Sequence, residues 1–164
     1  MLQFIYVPYS GRSLFSLLLL GHNPRLQASS QPQAMNFTVG ISPTLGIRGI
    51  IATYGFKTGD IVEKCPVILI PKSEWPALMN TVLKKYYYEW TSTHHAIVLG
   101  YGSLINHSYT PNAKYVFDFK NKFLVYKAII PIQTGSEITV NYNWDPTSKT
   151  PVDSFLVDFN QHHI

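Results

Sequence analysis

The sequence predicts a mostly-β domain of several short sheets with few short helices, and three observations carry that expectation. Short runs of strand-forming residues recur between turn-forming clusters: Phe37-Thr38-Val39, Ile61 to Pro71, Tyr86 to Trp90 and Ala96 to Leu99. Tyr115-Val116-Phe117-Asp118-Phe119 and Phe123-Leu124-Val125-Tyr126-Lys127-Ala128 are joined by Lys120-Asn121-Lys122, the pattern of a hairpin. Helix-like cues are confined to one stretch, Ser73 to Leu83. At 164 residues, 46% apolar and 13% charged, the chain is one domain's worth and too apolar for disorder.

Residues 1–35 differ in character from the rest of the chain. Ser13-Leu14-Phe15-Ser16-Leu17-Leu18-Leu19-Leu20 is an apolar run too short to span a bilayer, and no Asp or Glu precedes Asp60. Three readings stay open for this extension: an organelle transit peptide, a poor signal peptide, or a true start at Met35. Domain-like sequence runs over 36–145. Phe37-Thr38-Val39 reads as a strand, Ser42-Pro43-Thr44 as loop, and Gly46 to Ala52 as a glycine-flanked segment. Thr58-Gly59-Asp60 is a turn. Alternation and then a solid apolar run over Ile61 to Pro71 read as two short strands, with Pro66 restricting pairing to an edge or a break. Ser73 is a possible helix cap, with Leu78, Val82 and Leu83 as a short helical face. Gln133-Thr134-Gly135-Ser136 is a turn leading to a short strand that ends in Tyr142. The tail 146–164 is Pro/Thr/Ser-rich, then apolar at Phe155-Leu156-Val157, and could dock as a short helix or strand.

Composition narrows the chemistry. One cysteine, Cys65, excludes a disulfide framework and any Cys-rich zinc cluster. His94-His95 lack further residues at ligand spacing, so no metal is expected. Net charge is +4, the lysines are scattered, and no basic run interleaved with aromatics suggests nucleic acid. Eleven Tyr, nine Phe and three Trp serve either core packing or an aromatic cleft. Ser103 or Ser108 beside His107 would suggest a hydrolase, but a Gly-x-Ser-x-Gly elbow is absent. A phosphate loop is absent too.

Two segments remain: Gly100-Tyr101-Gly102-Ser103-Leu104-Ile105-Asn106-His107-Ser108-Tyr109-Thr110-Pro111-Asn112-Ala113, and Gly135-Ser136-Glu137-Ile138-Thr139-Val140-Asn141-Tyr142. In their order, their spacing and their Asn-His-Ser-x-x-Pro-Asn core they resemble the SET domain of protein-lysine methyltransferases, over about Thr44 to Tyr142. The resemblance implies a SET-type fold with a knot-like C-terminal threading, in which the later strand passes beneath the Asn-His loop. It implies S-adenosyl-L-methionine as methyl donor and a lysine-containing protein or peptide as substrate. Many relatives carry zinc-binding flanks. Here Tyr109 stands where those enzymes often have Cys, so the chain resembles the compact, zinc-free kind and something else must close that side.

A lysine ε-ammonium has a reference pKa near 10.4, so neutralising it at pH 7 costs about 4–5 kcal/mol. A narrow apolar channel favours the neutral amine, and the rest is in-line positioning. By the resemblance, Tyr142 orients the amine and helps hold the donor. Asn106 offers its side chain to the donor's ammonium, and His107 offers backbone to the adenine. Arg48, Gly49 and Tyr101 complete the donor-binding set. The spacing of Gly46 and Gly49 departs from the family's Gly-x-Gly, which leaves Gly46 out. Tyr126 and Trp144 are further channel candidates, and Glu137 is expected to be structural. The alternative is a catalytically silent SET-like module that binds a peptide or the donor. No membrane or nucleic-acid partner is expected, and a homodimer is one way to finish a peptide groove. An intracellular protein is expected, with organelle targeting by residues 1–35 left open.

Overall fold

The computed structural model describes residues 35–153. The readings of the N-terminal extension and of Phe155-Leu156-Val157 lie outside them. Among the described residues no helix is long and apolar enough to cross a membrane.

Among the described residues nine strands form two sheets, in line with the mostly-β expectation. The first contains β1 (Phe37–Ile41), β2 (Arg48–Ala52), β6 (Asn106–His107) and β9 (Glu137–Val140), in the order β1-β2-β9-β6. The second contains β3 (Ile61–Pro71), β4 (Tyr87–Glu89), β5 (His94–Val98), β7 (Ala113–Asp118) and β8 (Phe123–Ala128), in the order β4-β5-β3-β8-β7. The expected hairpin is β7–β8, in register from Ala113↔Ala128 to Asp118↔Phe123. Asp118 closes its turn by accepting from the Asn121 amide and backbone. The core joins both sheets through Ile50, Ile105, Leu124, Tyr126, Ile138 and Val140, all essentially inaccessible to solvent.

Three local expectations are corrected. Ile61 to Pro71 is one eleven-residue strand in the middle of its sheet, not two. It changes partner at Pro66: Ile61 to Pro66 pair with β8, while Val67 to Pro71 pair with β5. The Pro66 carbonyl accepts from the Leu99 amide, just beyond the β5 ladder. A residue's N–H and C=O share one side of a strand, so the missing donor falls where no ladder bond is needed.

Ser73 caps nothing. Helix α1 is a single turn, Trp75–Leu78, preceded by Glu74 without a side-chain cap. Thr81 takes the Leu78 carbonyl with its N–H and hydroxyl, which is the acceptor a continuing helix would give to Val82. A separate 3₁₀ turn forms at Val82–Lys85, and neither turn contains a buried residue, so the expected helical face is not a core face. Finally, β9 stops at Val140, leaving Tyr142 in the turn beyond the strand.

Gly102 shows how tightly the turn at Tyr101–Leu104 packs on the second sheet. A Cβ there would lie 2.2 Å from Tyr126 Cε2 and 2.8 Å from Cys65 Sγ, both in the core. Gly46, at φ 69° with nothing within 4 Å, needs glycine for backbone conformation alone. Gly102→Ala is therefore expected to cost about 1–3 kcal/mol or more through overpacking, and Gly46→Ala about 1 kcal/mol. Urea titration of both variants measures the ranking, and equal midpoints would contradict it.

Candidate functional site

The Asn-His segment and the tyrosine segment meet edge to edge. Strand β6 pairs in parallel with β9, Asn106 opposite Thr139 and His107 opposite Val140. A two-residue strand gains little from such a ladder, and side chains reinforce it. Asn112 Nδ2 donates to the Glu137 carbonyl at 2.7 Å, and Asn112 Oδ1 accepts from Thr139 N at 2.9 Å. The side-chain amide thus mimics one more backbone unit alongside β9.

Asn106 is buried, and its Nδ2 donates to Arg48 O at 3.0 Å and to Glu137 Oε1 at 2.7 Å. Both partners are pure acceptors, so the amide nitrogen must face them and Oδ1 is left as the acceptor for anything else. Glu137 Oε2 accepts from the Ser42 hydroxyl at 2.6 Å, while Ser42 Oγ accepts from Leu45 N. A Cβ on Gly49 would stand 2.5 Å from Glu137 Oε1 and 2.7 Å from Asn106 Nδ2. Gly49 is glycine because this network occupies the space of a side chain.

Tyr142 is tied to the same bend by its backbone and by its ring. Its N–H donates to His107 Nδ1 at 3.1 Å, and its hydroxyl donates to Ile105 O at 3.0 Å. Tyr115 Oη donates to the Tyr142 carbonyl at 3.1 Å. Because Nδ1 accepts, the ring proton of His107 sits on Nε2, which is buried without a hydrogen-bond partner. Burial holds the His107 pKa below the usual imidazole value, which keeps Nδ1 available.

Beside Tyr142 lies a cavity of about 340 Å³ lined mainly by Tyr86, Tyr87, Tyr88, Tyr115, Phe117 and Trp144, with Lys85, Glu89, Ser103 and Asn143 completing the wall. Tyr88 packs edge-on against Tyr115, with ring centres 5.3 Å apart. The Tyr88 hydroxyl meets that of buried Tyr126 at 2.8 Å. Burial pushes the phenols of Tyr142 and Tyr88 well above their ordinary value and that of Tyr115 to about 12. At neutral pH all three are hydroxyls, able to donate and accept but not to serve as phenolates. Trp144 is 62% exposed at φ 68°, an uncommon conformation for a bulky residue, at this cavity.

The structure brings Arg48, Gly49, Asn106, His107 and Tyr142 together. Arg48 does so through its carbonyl. Tyr101 lies one step away: its ring packs edge-on against Phe37, and its N–H donates to Glu63 Oε1 at 3.0 Å. Tyr126, a channel candidate from sequence, sits in the core behind Tyr88 and does not line the cavity. Sequence reasoning missed Ser42, Glu63, Tyr88 and Tyr115. The Tyr86-Tyr87-Tyr88 run was a signal for Tyr88, since three adjacent tyrosines exceed what one strand face can bury. Nothing local marked Ser42, which meets Glu137 from 95 residues away.

The network makes a coupled prediction. Gly49→Ala should destabilise by about 1–3 kcal/mol because its methyl meets the Glu137 carboxylate. The same change in a Glu137→Ala background should cost clearly less. A double-mutant cycle by chemical denaturation measures this coupling, and strict additivity would contradict the close approach.

The model of the SET domain family matches residues 47–143, more than half of the chain. A curated relative, the histone-lysine N-methyltransferase, H3 lysine-37 specific, of Schizosaccharomyces pombe, is 30% identical over 96 residues, covering 58% of this chain and 65% of that protein. The chain thus spans just under two thirds of that relative's length. A crystal structure of a candidate histone methyltransferase from Plasmodium falciparum is 32% identical with a TM-score of 0.57, covering 66% of this chain and 94% of that one. Two segments paired through β6 and β9, the family match and these likenesses agree, and the chain belongs to the SET domain family.

Proposed function

We propose that the chain transfers a methyl group from S-adenosyl-L-methionine to the ε-amine of a lysine in a protein substrate. The observation that carries this reading is the position of Tyr142: the Asn-His bend holds it by backbone and hydroxyl, and its ring lines an aromatic cavity. Relatives named as histone methyltransferases support a protein substrate.

The residues at the bend fit a sulfonium amino-acid donor. Asn106 Oδ1 is an acceptor suited to the donor's ammonium, with Arg48 and Gly49 adjoining it. Strand β6 is at the edge of its sheet. Ser108 N donates to Val140 O, so in a parallel ladder the neighbouring His107 turns its own N–H and C=O away from β9. Those groups suit the hydrogen-bonding edge of a purine. Tyr101 adjoins the donor side through the turn that leads into Asn106. When bound, the donor supplies an electrophilic methyl group and a positive charge.

The cavity residues act on the amine. Aromatic walls disfavour an ammonium that lacks a full hydration shell, which offsets part of the about 4–5 kcal/mol needed to neutralise lysine at pH 7. The Tyr142 hydroxyl spends its proton on Ile105 O, so its oxygen lone pairs can accept from the amine and aim the nitrogen. With its proton on Ile105 O and its pKa raised by burial, Tyr142 stays a hydroxyl at neutral pH, and in this scheme the lysine proton leaves through water. Glu137, committed to Asn106 and Ser42, is structural in this scheme. The knot-like threading, the domain limits at 36 and 145, and a homodimeric groove belong to the same proposal.

Labelled-methyl transfer to a protein extract tests the reading, comparing the wild type with Tyr142→Phe. The phenylalanine keeps the wall but loses the oxygen, and transfer should fall about 100-fold or more. Equal transfer by the two proteins would remove Tyr142 from its role. Donor binding without transfer by the wild type would favour the silent module.

A further inference from the structure

Residues 145–153 contain no helix or strand, yet they are fastened at close intervals. An irregular segment has no ladder of its own, so its backbone groups must be met by water or by side chains. Buried Asn141 donates from Nδ2 to Ser148 O at 2.8 Å, and Asn143 donates from Nδ2 to Thr150 O at 2.7 Å. These two asparagines flank Tyr142. From the opposite side, Tyr109 Oη accepts from Val152 N at 3.2 Å, and the Tyr109 carbonyl accepts from Lys149 Nζ.

Tyr109 also touches the bend itself. Its ring meets the His107 imidazole edge-on, with centres 4.4 Å apart and planes at 87°. His107 in turn accepts from Tyr142 N. The segment is therefore tied to both partners of the His107–Tyr142 contact: through Asn141 and Asn143 on one side, through Tyr109 on the other.

We infer that Tyr109 is a positioning residue that clasps residues 145–153 across the His107–Tyr142 contact and so holds the donor-binding bend in shape. This rests on the methyltransferase reading for its ligand, but the clasp itself is a property of the unliganded chain. The hydroxyl fastens the segment and the ring shields His107, so one side chain serves both ends. A residue with neither group would release the segment and open the imidazole to water.

Two Tyr109 variants and one control test it through two main readouts, with turnover and global stability, by urea titration, measured beside them. The first readout is trypsin cleavage after Lys149 in the folded protein without ligand. The second is the dissociation constant for S-adenosylmethionine by calorimetry. Tyr109→Phe, which keeps the ring and drops the hydroxyl, should speed cleavage about fivefold and weaken donor binding about threefold. Tyr109→Leu should weaken donor binding about tenfold. For Tyr109→Phe, turnover at saturating donor should stay within about twofold, since Tyr142 is intact. Tyr54→Phe, at a well exposed tyrosine, is the control and should change neither readout.

Cleavage rates and donor affinities equal to the wild type in both variants would overturn the inference. So would affinity losses matched by an equal loss of global stability, because that is the behaviour of an ordinary packing residue. If the wild type binds no donor, the methyltransferase reading falls and the clasp stands or falls on the cleavage rates alone.

Discussion

A parallel pairing of two residues, Asn106 and His107, with the end of β9 is the interaction around which this domain is arranged. Its backbone bonds are too few to stand by themselves, since a net hydrogen bond contributes about 1 kcal/mol and ordering each residue costs as much. Side chains supply the remainder. Asn112 extends the ladder, and Asn106 and Glu137 lock β6 to β2 and β9. Each of these side chains is held by internal hydrogen bonds, and Asn106 Oδ1 alone is left open, so the network favours one arrangement of the bend. Glycine at position 49 follows from it, because the network fills the volume beside β2.

Once that pairing is made, the cavity follows. Tyr142 follows two residues after Val140, the residue opposite His107, and its ring lines the cavity with Tyr88 and Tyr115. Each of these three hydroxyls has a partner at 2.8 to 3.1 Å: Tyr126 for Tyr88, the Tyr142 carbonyl for Tyr115, the Ile105 carbonyl for Tyr142. The rings are therefore fixed before any substrate arrives, which suits a reaction limited by alignment more than by acid–base strength. The same burial that raises the phenol pKa values would bias an entering amine toward its neutral form.

Much of this was legible in the chain. The β7–β8 hairpin was written in alternation and a three-residue turn, and the two motifs marked which loops matter. What local pattern could not supply was partnership at long range. Pro66 looked like a strand break because sequence does not show that its strand trades β8 for β5 at that residue. Ser73 looked like a cap by residue type, but the turn starts after Glu74 without one, and the side-chain cap falls on Thr81, which accepts from Leu83 N at the 3₁₀ turn. Ser42 and Glu63 carry no periodic or motif signal, and their roles come from the atoms they meet across the fold. Tyr126 was a channel candidate under the family resemblance, although it lies in the core, packed against Gly102.

The most direct measurement is NMR of the Tyr142 amide and the His107 ring in the unliganded protein. A contact between β6 and the turn after β9 requires a slowly exchanging Tyr142 amide that couples across a hydrogen bond to Nδ1 of a neutral, Nε2-protonated His107. That pattern is the predicted result. A Tyr142 amide in fast exchange, beside an imidazole protonated on Nδ1, would contradict the account at its root.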